Sequence, residues 1–110
     1  MMKTALVTGA TSGIGKATAE LLAKQGLRLI LCGRRTEVLE QLKRKLSKYT
    51  EIFSLNFDQR SFNEVETAFN SLPVDWKEID VLINNAGNAH GLESLIDGDI
   101  NDWDLMLDGN

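Results

Sequence analysis

Eight consecutive residues, Thr8-Gly9-Ala10-Thr11-Ser12-Gly13-Ile14-Gly15, place three glycines and three hydroxyls between an apolar run, Thr4-Ala5-Leu6-Val7, and a stretch with helical periodicity. The layout is a strand, a tight turn and a helix N-terminus. Such a terminus presents unpaired backbone N–H groups and the positive end of the helix dipole, so its chemistry is the binding of an anion such as a pyrophosphate. In this reading Gly9 permits the turn, Gly13 lets a phosphate approach the backbone, and Gly15 lets the helix lie close to the strand. Thr11 and Ser12 have two readings that stand side by side, direct phosphate contact and turn formation.

Two further clusters have the same flavour. The apolar run Leu27 to Cys32 leads into Gly33-Arg34-Arg35, at a distance along the chain that suits contact with a ribose. A later run, Ile79 to Ile83, leads into Asn84-Asn85-Ala86-Gly87.

Together these residues resemble the short-chain dehydrogenase/reductase family. Thr8 to Gly15 follows its Thr-Gly-x-x-x-Gly-x-Gly motif, and Asn84 to Gly87 follows its Asn-Asn-Ala-Gly motif without a substitution. The resemblance covers essentially the whole chain and corresponds to the first part of a usual member. It implies a nicotinamide dinucleotide cofactor. Members that prefer NAD usually carry a carboxylate at the end of the second strand, where this chain has Arg34 and Arg35. Guanidinium groups pair well with a 2′-phosphate, so the expected cofactor is NADP(H). Arg34 is then the main contact, and Arg35 a second contact or a stacking partner for adenine. The alternative is two solvent-facing arginines at a helix start.

The resemblance assigns further positions. Ile14 would line the nicotinamide side through its backbone. Asn56-Phe57 stands where members often have Asp and an apolar residue; the Asn56 amide oxygen can still accept from the adenine amino group, and Asp58 is the substitute if the loop is shifted. Asn84, Asn85, Ala86 and Gly87 would run past the cofactor ribose, the alternative being a plain strand-to-turn junction. Asn110, after Asp102-Trp103, would hold a water of the proton relay, or else be a frayed end.

The family also uses a Ser, a Tyr and a Lys four residues after it, the Lys lowering the Tyr pKa. The only tyrosine here is Tyr49, and four residues on stands Phe53. The catalytic half is therefore expected after Asn110, and residues 1–110 alone are expected to show no turnover. The implied activity is hydride transfer between nicotinamide and a secondary alcohol or carbonyl of a small-molecule substrate. Ser71 to Trp76, Ile79-Asp80, Gly33-Arg34-Arg35, Gly91-Leu92-Glu93 and Asp102-Trp103 resemble the NADP-dependent serine/3-hydroxy acid dehydrogenase branch. A 3-ketoacyl or general carbonyl reductase is the alternative within the family. A non-catalytic nucleotide-binding module is the alternative outside it, if 110 residues is the natural length. Family members are commonly tetramers, which implies a homo-oligomer for the full-length protein.

The elements that must position these residues alternate strand and helix, the pattern of an α/β fold with helices on both faces of a parallel sheet. Strands are expected at about 3–8, 27–32, 51–55 and 79–84. A first helix is expected from Ile14 to Gln25, with Ile14, Ala17, Leu21 and Leu22 on its inner side and Gly26 ending it. A second runs from Glu37 to Ser47 on a stripe of Val38, Leu39, Leu42 and Leu46. Ser61 and Glu64 fit a capping box before a third, which carries Phe62, Val65, Phe69 and Leu72 and is stopped by Pro73. Residues 87–99 read as a loop, and Asn101 with Asp104 as the start of another helix facing inward through Trp103, Met106 and Leu107. Right-handed crossovers give a Rossmann-type doubly wound sheet, N-terminal half, in strand order 3-2-1-4. The fourth strand has the composition of one covered on both faces yet would lie at an edge, which points to further chain after Asn110. Residues 1–110 are thus expected to be the NADP-binding N-terminal portion of one domain.

Composition narrows the partners. A net charge of −4 over 110 residues argues against nucleic acid and anionic membranes, and Lys43-Arg44-Lys45 falls on a solvated helix face. One cysteine, Cys32, excludes an internal disulfide, and one histidine, His90, excludes a histidine metal cluster. Cys32 reads as a small buried hydrophobe, and His90 as a loop residue. No apolar run approaches membrane-spanning length and no leader precedes the first strand, so the expected setting is the cytoplasm.

Overall fold

The computed structural model describes residues 3–58 and 60–85. Within them β1 (Thr4–Thr8), α1 (Gly13–Lys24), β2 (Arg28–Gly33), α2 (Thr36–Leu46), β3 (Ile52–Asn56), α3 (Phe62–Asn70) and β4 (Val81–Asn84) follow in order. A 3₁₀ turn, Val74–Trp76, precedes β4. All strand pairs are parallel, in the order β3-β2-β1-β4 expected from the sequence.

Alternation along the strands builds two cores. Ala5, Val7, Leu29, Leu31 and Ile83 face α1 and α2 and pack with Ala19, Ala23, Leu39, Leu42 and Leu46. Leu6, Ile30, Cys32, Leu55 and Leu82 face the other way, onto Val65 and Phe69 of α3 and Leu72 beyond it. That two-sided burial is why β1, β2 and β4 read as continuous apolar runs rather than alternating ones. The α2 stripe is buried as expected at Leu39, Leu42 and Leu46.

The inner face of α1 differs from expectation. Ile14 is 71% exposed and Leu21 57% exposed, while Gly15, Ala19 and Ala23 are buried. The cause is close approach at the helix start: a Cβ on Gly15 would overlap the carbonyl oxygen of Gly9 and stand 2.9 Å from Ala10 Cα. A helix seated that tightly on the sheet has room underneath for small side chains only.

The ends of α1 and α3 are set by local chemistry. At Gly26 (φ 89°) the N–H bonds to Ala23 O, and the Leu27 N–H to Leu22 O, a Schellman closure. At the start of α3, Ser61 Oγ accepts from Glu64 N at 3.3 Å. The returning half of the expected capping box is redirected, because Glu64 Oε1 accepts instead from the Asp58 N–H at 2.8 Å. The helix ends at Asn70, and the Ser71 N–H bonds back to Thr67 and Ala68. Pro73 does not stop α3 directly but opens the 3₁₀ turn. Ala86, Gly87, His90, Asn110, the loop at 87–99 and the helix expected from Asn101 lie outside the described residues.

Candidate functional site

Parallel strands bring all four C-terminal ends to one edge of the sheet. Register pairs Thr8 with Asn84 and Gly33 with Asn56 there. The strand order reverses between β1 and β4, and open α/β sheets bind ligands outside the strand ends at such a switch point.

The β1–α1 turn lies at that point. Gly9 adopts φ 62°, a left-handed conformation that costs glycine little. Ser12 is the N-cap of α1: its Oγ accepts from Gly15 N at 3.1 Å and donates to Gly9 O at 2.8 Å. Of its two readings, turn formation is therefore present in the structure. Among the described residues nothing lies within 4 Å of where a Cβ would sit on Gly13, so they leave the helix start open on that side. Exposed Ile14 stands beside the opening.

The turn is locked to the end of β2. The Ala10 N–H donates to Cys32 O at 3.0 Å, and a Cβ on Gly33 would come within 2.9 Å of Thr11 Cγ2. Gly33 thus makes room for Thr11, a pairing that the glycine motif alone does not reveal. The Cys32 thiol is buried as expected, and desolvation pushes its pKa up.

Arg34 and Arg35 follow at once. Both are exposed, and the Arg34 backbone is held by Asn56, whose Nδ2 donates to Arg34 O at 2.9 Å and to Gly33 O at 3.3 Å. That orientation leaves the Asn56 carbonyl oxygen as its accepting group. Phe57 is buried in the α3-side core, with its N–H on Gly33 O, so its side chain serves packing. On the other side of β1, Thr8 Oγ1 donates to Asn84 Oδ1 at 3.1 Å, and Asn85 Nδ2 donates to Thr8 O at 3.2 Å. The two glycine- and asparagine-containing motifs are therefore joined through Thr8.

Asp58 has a larger part than sequence reasoning gave it. Its carboxylate takes two side-chain hydrogen bonds from Arg60, at 3.1 Å and 2.9 Å, and one from the Arg60 N–H at 2.9 Å. Arg34 Nη1 lies 3.6 Å from Asp58 Oδ2, an ion pair without a hydrogen bond. The Arg60 hydrogen bonds, with the charges of Arg60 and Arg34 behind them, hold the Asp58 pKa at about 2, below its ordinary 3.8. A carboxylate with a depressed pKa adds stability that is present above the unfolded value and lost as pH falls through the folded one. The Asp58–Arg60 contribution is therefore expected to persist at neutral pH and to disappear between about pH 4 and pH 2. A carboxyl-carbon NMR titration checks this, and Arg60→Gln is expected to move the Asp58 midpoint up toward 3.8. The signal in the sequence was an acidic residue two before an arginine, just past a strand.

Comparison with known proteins decides the family. Residues 3–110 match the short chain dehydrogenase family. This chain belongs to that family. It is 41% identical over 105 residues to the NADP-dependent 3-hydroxy acid dehydrogenase YdfG of Salmonella typhi, covering 96% of this chain and 42% of that protein. It is 42% identical to a probable NADP-dependent dehydrogenase of Dichelobacter nodosus, covering 96% of this chain and 97% of that one. Among solved structures, an actinorhodin polyketide ketoreductase with NADPH matches at 40% identity and TM-score 0.71, covering 79% of this chain and 34% of that one. The chain thus spans 42% of the length of the YdfG relatives it matches. In this short-chain dehydrogenase the Gly9 turn and the Thr8–Asn84 link meet at the C-terminal edge of the sheet, where the strand order reverses.

Proposed function

We propose that this chain is the NADP(H)-binding N-terminal portion of an oxidoreductase that transfers hydride between nicotinamide and a secondary alcohol or carbonyl. The observation that carries the reading is the position of Arg34. It is exposed, 62% by side chain, and directly follows the strand end against which Thr11 and the β1–α1 turn are packed. The residues present fit a dinucleotide. The opening at Gly13 beside the α1 N-terminus suits a pyrophosphate, and Arg34 with Arg35 suits a 2′-phosphate. Thr11, Ser12 and Gly13 would stand beside the first, Ile14 would line the nicotinamide side through its backbone, and Gly15 would seat the helix that presents them. Asn56 would accept from the adenine, and Asn84 with Ala86 and Gly87 would pass the ribose.

The cofactor, when bound, supplies the hydride; the protein orients it and handles the proton. A relative named NADP-dependent 3-hydroxy acid dehydrogenase and matching structures of serine dehydrogenase support a 3-hydroxy acid such as serine as substrate. A matching ketoreductase supports a carbonyl reductase as the alternative. Asn110 would hold a water of the proton relay. The same reading carries a homo-oligomer, a tetramer by the family resemblance, for the full-length protein, and a cytoplasmic setting. Among the described residues no helix is long and apolar enough to cross a membrane.

Arg34→Ala tests the proposal. Losing a charged hydrogen-bond donor to phosphate is expected to cost about 1.5–3 kcal/mol of NADPH affinity, with NADH affinity much less changed. Fluorescence titration with each cofactor measures both. Equal losses would remove the 2′-phosphate assignment.

A further inference from the structure

Asp58 presents a problem for the proposed cofactor reading, on which the following rests. An ionised carboxylate beside Arg34 would compete with a 2′-phosphate for the same guanidinium. Its position is fixed from several sides: its N–H is held by Glu64 and its carbonyl accepts from the Ser61 N–H at 2.9 Å. With the backbone held, turning the carboxylate away from Arg34 would break its hydrogen bonds from the Arg60 N–H and guanidinium. The structure resolves the competition through Arg60. Both carboxylate oxygens accept from Arg60, and the oxygen nearest Arg34, Oδ2, lies 2.9 Å from Arg60 Nη2 against 3.6 Å from Arg34 Nη1. Arg34 makes no side-chain hydrogen bond among the described residues. Arg34, Asp58 and Arg60 together carry one net positive charge, whereas Arg34 and Asp58 alone would be neutral.

We infer that Arg60 is a positioning residue for 2′-phosphate recognition: by engaging Asp58 it keeps Arg34 available and the corner cationic for the phosphate of a nucleoside 2′-phosphate. It acts through Asp58 and Arg34 and needs no contact with the nucleotide itself. Arg60 thereby contributes to the choice between NADPH and NADH.

The test is a set of cofactor titrations at low salt on the protein and its Arg60→Gln, Asp58→Asn and double variants, using NADPH and NADH as probes. Arg60→Gln is expected to raise the NADPH Kd about three- to five-fold, the size of an exposed ion-pair interaction. The NADH Kd should stay put. Asp58→Asn keeps an acceptor for the turn while removing the competing charge, so it should tighten NADPH binding. In the double variant the Arg60→Gln loss should vanish. Equal loss of both cofactors in Arg60→Gln would mean a merely structural turn and overturn the inference. So would a double variant as weak as the single one. If the unaltered protein shows no preference for NADPH, the 2′-phosphate reading itself fails. If it prefers NADPH, and Arg34→Ala abolishes the preference while Arg60→Gln leaves it intact, only the role of Arg60 fails.

Discussion

Gly15→Ala is expected to destabilise the protein by about 3 kcal/mol, at the upper end of the range for overpacked sites. The added methyl would overlap Gly9 O and crowd Gly9 C at 2.8 Å and Ala10 Cα at 2.9 Å. These are backbone atoms, so no side chain can swing aside. Gly9 is itself fixed at φ 62° with its carbonyl taking both the Ser12 N–H and the Ser12 hydroxyl, so relief must come from lifting α1 off the sheet. Lifting the helix would open the layer of Ala19 and Ala23 beneath it. Gly13→Ala is the companion experiment. Among the described residues a methyl there meets nothing within 4 Å, and the backbone is compatible with alanine, so stability should hold or rise by a few tenths of a kcal/mol. On the proposed reading the same methyl stands in the way of the phosphates, and NADPH affinity should drop. Chemical denaturation and cofactor titration of both variants separate the two roles: one glycine seats the helix, and the other leaves space for a ligand. A Gly15→Ala protein as stable as the original would contradict the packing account.

Much of this fold is legible in the chain because β1, β2 and β4 are apolar on both faces and the turns after β1 and α1 are marked by glycine. The order β3-β2-β1-β4 then follows from the handedness of the crossovers. The inner face of α1 was not legible from periodicity. Leu22 packs partly buried against the core as expected, but Ile14, Ala17 and Leu21 are exposed, because the helix is turned by what happens at Gly15 and Ala19 and Ala23 go inward. Hydrophobic periodicity finds the apolar stripe of a helix whose large side chains meet the core, as in α2. It misleads where small side chains make the contact.

The candidate site divides in a similar way. Thr8, Gly9, Gly15, Asn84 and Asn85 could be found from motif spacing, and the hydrogen bonds through Thr8 show why the two motifs sit together. The support around Arg34 could not be found that way. Asn56 binds its carbonyl, Gly33 clears space for Thr11, and Asp58 is engaged by Arg60. Each of these depends on two strand ends or a turn meeting in space, and none has a fixed spacing in sequence. Glu64 makes the same point, since the capping box predicts its partner as Ser61 and the turn supplies Asp58.

Leu6→Ala is expected to cost about 3–4 kcal/mol, within the range for deleting a buried leucine side chain. Leu6 is fully buried in the central strand, paired in register with Ile30 on one side and Leu82 on the other. Its side chain belongs to the α3-side core with Val65 and Phe69. Hydrogen bonds to two neighbouring strands prevent β1 from shifting to fill the space, so the cavity should persist and add its own penalty to the lost transfer energy. Against a total stability of about 5–15 kcal/mol for a domain, a loss of that size shifts a denaturation midpoint severely. The comparison is Leu21→Ala. The same atoms are removed, but Leu21 is 57% exposed, and a change of less than about 0.5 kcal/mol is expected, as at other surface positions. Urea denaturation of both proteins, compared through their midpoints, distinguishes a sheet-centred core with α1 resting on small residues from a core in which α1 inserts its leucines. Equal losses at Leu6 and Leu21 would favour the second arrangement and undo the placement of the helix that the Gly15 contact requires.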